Sequence, residues 1–185
     1  MKTNTIAILF TLALVGSSLS KWSDHLPFCL FPHIFGSSLR ALDRQVNLES
    51  YTGTWYEIAR KPAPFQKQCG RSQAEYTLRT DGAVTVVNSC EKIDGSGTDR
   101  VEGKAVSKNG LNTELSVSFG FIPGAYWILD LAQDYSWSLV GEPCRKFLWV
   151  LAREEQLSDE VLNEILATAQ RHGYDVSDIV YRRDF

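Results

Sequence analysis

The residues of this chain best suited to redox, nucleophilic or metal chemistry are Cys29, Cys69, Cys90 and Cys144, with His25, His33 and His172. Metal binding fits them poorly. No two cysteines form a C-x-x-C ligand pair, and the histidines are scattered. In an oxidising compartment four cysteines make two disulfides, and three connectivities are open. Acylation of Cys29 as in a bacterial lipoprotein is not expected, because Pro27 and Phe28 precede it where that chemistry needs small residues. No G-x-S-x-G elbow, H-E-x-x-H pair or P-loop occurs. The residues therefore point to no standard enzyme, no metal and no cofactor.

The net charge of −3 over 185 residues, with no basic run, argues against nucleic acid. Residues 1–20 read as a cleaved secretory signal: Lys2, the apolar run Ile6 to Gly16, then Ser18-Leu19-Ser20 at the peptidase positions. That run is shorter than the roughly 20 residues a membrane span needs. The expected product starts at Lys21 and is secreted, extracellular or, in a bacterium, periplasmic. Residues 21–45 form an N-terminal strap. Its apolar stretch Leu26 to Gly36 carries Pro27 and Pro32, which deny it a regular helix or central strand. The strap is expected to pack on the domain that follows, stapled by Cys29. Peripheral membrane contact through it, or through apolar loops, stays open, as does a monomeric or dimeric state.

From residue 46 onward the chain is one domain of short alternating segments between turn signals, the pattern of an all-β fold. Eight strands are expected: Gly53–Arg60, Cys69–Thr80, Ala83–Glu91, Thr98–Ser107, Asn112–Phe119, Ala125–Ala132, Trp137–Glu142 and Phe147–Arg153. Asp81-Gly82 and Asn109-Gly110 read as hairpin turns, the first with positive φ at both positions. Pro123-Gly124 reads as a break before the sixth strand, leaving Phe121 to Pro123 in a loop. Short links imply up-and-down antiparallel pairing, and eight strands close into a barrel just wide enough for one small ligand. A helix over 158–172 follows, with Ser158 as its cap, Asp159 and Glu160 at its positive end and Gly173 beyond it. Val161, Leu162, Ile165, Leu166 and Ala169 share a face that should pack outside the barrel. Asp178 to Tyr181 suggests a last short strand.

Three signatures in order resemble the lipocalin family. Gly53-Thr54-Trp55-Tyr56 matches G-x-W-Y on the first strand. Asp134-Tyr135 matches a T-D-Y-like motif in the turn between the sixth and seventh strands, with Gln133 in place of Thr. Arg153 closes the eighth strand. Tyr56-Glu57-Ile58-Ala59-Arg60, Ala74-Glu75-Tyr76-Thr77-Leu78, Tyr126-Trp127-Ile128-Leu129 and Gly141-Glu142-Pro143 look like the branch holding apolipoprotein D and bacterial outer-membrane lipocalins. The resemblance implies that Trp55 plugs the closed end, with the Arg153 guanidinium across its indole. It places Cys69, Cys90 and Cys144 near the open rim, which suggests Cys69–Cys90 and Cys29–Cys144, the second as in apolipoprotein D.

The family pattern also assigns the barrel interior. Trp55, Glu57 and Ala59 face inward from the first strand, then Ala74, Tyr76 and Leu78, and Val84, Val86 and Asn88. Val101, Gly103 and Ala105 follow, then Leu115, Val117 and Phe119. Tyr126 and Ile128, Ser138 and Val140, and Phe147, Trp149 and Leu151 complete the wall. The ligand-binding set expected from it is Glu57, Ala74, Tyr76, Val86, Asn88, Val101, Val117, Phe119, Tyr126, Ile128, Val140 and Trp149. The small Ala74, Gly103, Ala105 and Ser138 are expected to leave space. The resemblance implies a carrier of a fatty acid, a lysophospholipid or a similar lipid. The alternative is a lipocalin-like enzyme acting on a lipid or carotenoid, which would need a free inward thiol.

Overall fold

The computed structural model describes residues 39–185. Alternation of apolar and polar residues from Gly53 onward produces eight strands: β1 Gly53–Arg60, β2 Cys69–Leu78, β3 Val84–Lys92, β4 Thr98–Ser107, β5 Glu114–Phe119, β6 Ile122–Leu131, β7 Trp137–Gly141 and β8 Leu148–Ala152. Each pairs antiparallel with the next, and β1 pairs with both β2 and β8, so the sheet closes on itself. Closure satisfies both edges of every strand. The last strand, β9 Val180–Tyr181, adds to β1 at Ala59 and Arg60, outside the ring.

Two apolar layers follow from the period of two. Trp55, Ala74, Tyr76, Val84, Val86, Ala105, Leu115, Ile128, Val140 and Leu151 pack together inside the barrel, as the alternation anticipates. The outward residues Leu129, Leu139, Leu148, Val150 and Ala152 pack against the helix α2, Asp159–Arg171. The Ser158 hydroxyl caps this helix by accepting from the Val161 N–H. Leu162, Ile165, Leu166 and Ala169 are its buried face. Gly173, at φ +84°, ends it, and the chain turns so that Tyr174 reaches back to β7. The Tyr174 hydroxyl donates to the Glu142 carbonyl and accepts from the Glu142 N–H, both at 2.9 Å. Any side chain at Gly141 would meet that hydroxyl at 2.1 Å, which explains the glycine. The Glu142 carboxylate accepts from the N–H groups of Cys144, Lys146 and Phe147, and so shapes the β7–β8 loop.

Four local expectations are corrected. Ala59 does not face inward: a bulge between Glu57 and Ala59 shifts the pairing with β8, so Ala59 joins the outer layer. Arg60 then falls opposite the inward Trp149. Pro123-Gly124 does not break the chain. Both lie within β6, because Gly120, at φ +74°, makes a tight turn with Phe121 and pairs Phe119 with Ile122. Pro123 is tolerated one residue from this turn, where its missing N–H costs little of the ladder. In the β2–β3 turn only Gly82 takes positive φ; Asp81 instead accepts from the Ala83 N–H. In the β4–β5 turn the left-handed residue is Asn112, while the Asn109 side chain accepts from the Thr113 and Glu114 N–H groups.

Candidate functional site

The closed end of the barrel is built from one tryptophan outward. Gly53 takes φ +93°, a conformation that favours glycine, and launches β1 so that Trp55 enters the floor fully buried. The Trp55 indole N–H donates to the Tyr51 carbonyl at 2.9 Å. Arg153 lies with its guanidinium carbon 3.8 Å from the indole centroid and donates to the Thr54 and Ser50 carbonyls. Tyr135 of the second signature sits at φ +61°, and its hydroxyl accepts from the Asn47 N–H. The three signatures are therefore parts of one floor. Val46 and Tyr51 complete it from below.

Tyr51 was not visible as a site residue in the sequence. It ends a single-turn helix, α1, Leu48–Tyr51, capped by the Asn47 side chain. The capping asparagine was the only available signal, and four residues carry no usable periodicity. Tyr51 projects among the inward residues Tyr76, Tyr126 and Ser138. Its hydroxyl lies 2.9 Å from those of Tyr126 and Ser138, and Tyr126 lies 3.2 Å from Tyr76. Burial pushes the Tyr51 phenol up to about 12, and those of Tyr76 and Tyr126 are also raised by burial. A raised folded-state phenol stabilises the fold below its unfolded value and loses that contribution as pH rises through the folded value. Stability is accordingly expected to fall above about pH 10, more steeply than in Tyr126→Phe. Urea midpoints measured across alkaline pH check this, and parallel curves for the two proteins would contradict it.

Above the floor, Glu57 and Arg60 form a buried ion pair. Arg60 Nη1 donates to Glu57 Oε1 at 2.6 Å, and Nη2 donates to the Cys69 carbonyl at 2.7 Å. Glu57 Oε2 accepts from the Gln66 side-chain amide at 2.8 Å, and Gln66 Oε1 accepts from the Trp149 indole N–H at 3.1 Å. Burial pushes the Glu57 carboxyl up, and Arg60 and Gln66 offset part of that. Gln66 belongs to the short turn Pro64–Gln66 between β1 and β2, and its reach into the barrel was not legible in the sequence. Both Glu57 oxygens are thus engaged by protein.

Inward residues towards the open end keep accessible surface: Asn88, Val117 and Trp149 are half-buried, Val101 is 47% exposed and Phe119 36%; Tyr126, whose hydroxyl meets that of Tyr51 on the floor, is half-buried as well. Ala74, Val86, Ile128 and Val140 are buried deeper in the wall. Two of the small residues do not leave free space. The Phe119 ring covers Gly103, where a Cβ would stand 2.7 Å from it, and Ser138 bonds Tyr51. The rim is apolar: Phe65, Phe121 and Ile122 are exposed, and Phe65 stacks edge-on against Phe147 with centroids 5.3 Å apart.

The rim also carries a disulfide, Cys69–Cys90, joining β2 to β3 as expected. Cys144 is disulfide-bonded as well. Its expected partner Cys29, the signal 1–20 and most of the strap lie outside the described residues. Among the described residues no cysteine is free, and no cluster of three histidine, cysteine or acidic side chains could hold a metal.

A family described as lipocalin-like domains matches residues 46–184. The chain is 40% identical over 133 residues to the outer membrane lipoprotein Blc of Escherichia coli (strain K12), covering 71% of this chain and 75% of that protein. It is 28% identical over 186 residues to apolipoprotein D of Rattus norvegicus, covering 94% of this chain and 92% of that protein. Among solved structures, insecticyanin from the tobacco hornworm Manduca sexta superposes with a TM-score of 0.65 at 19% identity, covering 80% of this chain and 85% of that one. That last likeness speaks to the fold alone.

Proposed function

This chain belongs to the lipocalin family, and on that premise we propose that its barrel binds one small apolar molecule, a fatty acid, lysophospholipid or similar lipid, as a secreted non-catalytic carrier. The observation that carries the reading is the gradient along the inner wall, from the fully buried Trp55, Ile128 and Val140 to the accessible Val101 and Phe119 at the mouth. A packed core would not leave inward apolar residues open on one side. The ligand would lie against Val86, Asn88, Val117, Phe119, Tyr126 and Trp149.

Energetics favour a chain-like ligand. Each buried methylene contributes about 0.8 kcal/mol, so about fourteen give roughly 11 kcal/mol. Association removes several kcal/mol of that, and low-micromolar affinity needs about 8 kcal/mol. No catalytic group is required. The enzyme alternative needs a free inward thiol, and Cys69, Cys90 and Cys144 are disulfide-bonded. The two bridges and the leader-like residues 1–20 support an oxidising, extracytoplasmic location.

The test is direct. Delipidated protein titrated with a fluorescent fatty acid is expected to bind it at one site and to show quenched tryptophan emission, because Trp149 lines the mouth. Val117→Trp, which fills the wall, is expected to weaken binding about tenfold or more without unfolding the barrel. A delipidated, folded protein that binds neither this probe nor any neutral apolar dye would refute the carrier reading.

A further inference from the structure

The hydroxyl cluster on the floor is larger than the fold requires. Trp55 and Arg153 already close that end, and phenylalanines at 51, 76 and 126 would pack the same space without burying polar atoms. Burying a hydroxyl costs free energy that a hydrogen bond must offset. Here Tyr76, Tyr126, Tyr51 and Ser138 form one chain of contacts at 3.2, 2.9 and 2.9 Å. Each hydroxyl donates once and accepts up to twice. The three contacts use three of the four protons and leave one proton and most of the lone pairs unused. Tyr126, at the centre of this chain, lies deep in the barrel and still keeps accessible surface, whereas Tyr51 and Tyr76 are buried. Accessible surface on a side chain so deeply placed faces the interior.

The charges around the floor set what could approach that surface. The nearest charged group above is Glu57, whose negative charge acts on Tyr76. Arg60 is held away by Glu57 and the Cys69 and Gly70 carbonyls. Arg153 lies on the far side of Trp55, bonded to backbone carbonyls. The positive charge of Arg153 acts on the phenols, but its guanidinium hydrogen bonds go to the Thr54 and Ser50 carbonyls, so no cation described here donates a hydrogen bond to the hydroxyls, and the phenols stay neutral because burial disfavours their ionised form. A carboxylate placed there would lose its hydration without a counterion. A carbonyl would accept the spare proton, and a hydroxyl could in addition donate to a free lone pair.

We infer that Tyr51, Tyr76, Tyr126 and Ser138 form a hydrogen-bonding subsite on the barrel floor that takes the uncharged polar end of an apolar ligand, a hydroxyl or carbonyl, in preference to a carboxylate. The inference rests on the carrier reading above and narrows its ligand class to lipids that enter with a neutral polar end first.

The experiment is competition between dodecanol and dodecanoate for protein loaded with the neutral dye N-phenylnaphthylamine, near neutral pH. The wild-type protein is expected to bind dodecanol at least about tenfold more tightly, the equivalent of about 1.4 kcal/mol. Tyr126→Phe is expected to remove most of that ratio, by weakening dodecanol more than dodecanoate. Tyr76→Phe, at the end of the hydroxyl chain, serves as the second variant should Tyr126→Phe fail to fold. Dodecanoate binding as tightly as dodecanol, or an unchanged ratio in the folded variant, overturns the subsite and leaves the carrier reading standing. Wild-type protein that binds neither the dye nor either ligand overturns both.

Discussion

Replacing Glu57 with leucine is expected to destabilise the barrel by about 3–5 kcal/mol, the cost of leaving a buried charge without its partner. Arg60 would remain among the Cys69 and Gly70 carbonyls with no counterion, and a guanidinium cannot shed its proton inside a protein. Arg60→Met should behave differently. It leaves Glu57 alone, and a carboxyl already pushed up by burial can take a proton. A raised folded-state carboxyl contributes stability that is present below its unfolded value and lost as pH rises through the folded value. The deficit of Arg60→Met should therefore be small near pH 4 and grow towards neutrality, whereas Glu57→Leu removes the raised carboxyl itself, so its deficit should not grow with pH. The combined Glu57→Leu, Arg60→Met protein should be more stable than Glu57→Leu alone, because it buries no charge. Urea denaturation at several pH values reads all three. A Glu57→Leu loss below about 1 kcal/mol, or a flat pH profile for Arg60→Met, would show that water reaches the pair and that it is an ordinary surface bridge.

Trp55→Ala is expected to cost about 3–5 kcal/mol, as for other fully buried large aromatics. It removes the plug that Val46, Tyr51 and Leu151 pack around, and it orphans the Tyr51 carbonyl that the indole satisfies. For a domain of this size the melting temperature should fall by on the order of 10 °C. Arg153→Ala should cost less, about 2 kcal/mol, since the guanidinium is partly in solvent and its stacking contributes about 0.5–2 kcal/mol. The two losses should not add, because each variant already removes the stacking. Arg153→Lys should recover little, since an ammonium lacks the planar fork that reaches both Thr54 and Ser50 while lying on the ring. A double variant whose loss equals the sum of the single losses, or an unchanged melting temperature for Arg153→Ala, would separate the two residues energetically.

The strands, the outer helix and the family were legible in the sequence because each rests on a short-range regularity. A period of two over β2, β3 and β4, with its inner face set by the family pattern, assigned Ala74, Tyr76, Val84, Val86 and Ala105 to the interior correctly. A period near 3.6, a capping serine and a following glycine located α2. The spacing of Gly53, Trp55, Asp134, Tyr135 and Arg153 marked the floor. Topology also placed Cys69 beside Cys90.

What the sequence could not express was the set of contacts that depend on register and on unrelated segments meeting. One extra residue between Glu57 and Ala59 turns Arg60 inward, and a bulge has no signature in alternation except its failure. Gln66 comes from a loop, and Tyr51 from a single turn that no periodicity reveals. Gly103 and Ser138 look like vacancies in a list of inward residues; only the fold shows which neighbour occupies each, because side-chain volume is shared across strands. The sequence by itself determined that this chain closes into a barrel with a tryptophan at its floor. Tertiary structure alone decided which partners the inward polar groups meet, Arg60 and Gln66 for Glu57 and Tyr51 for Tyr126 and Ser138, since that depends on where strands and loops bring their side chains to one axis.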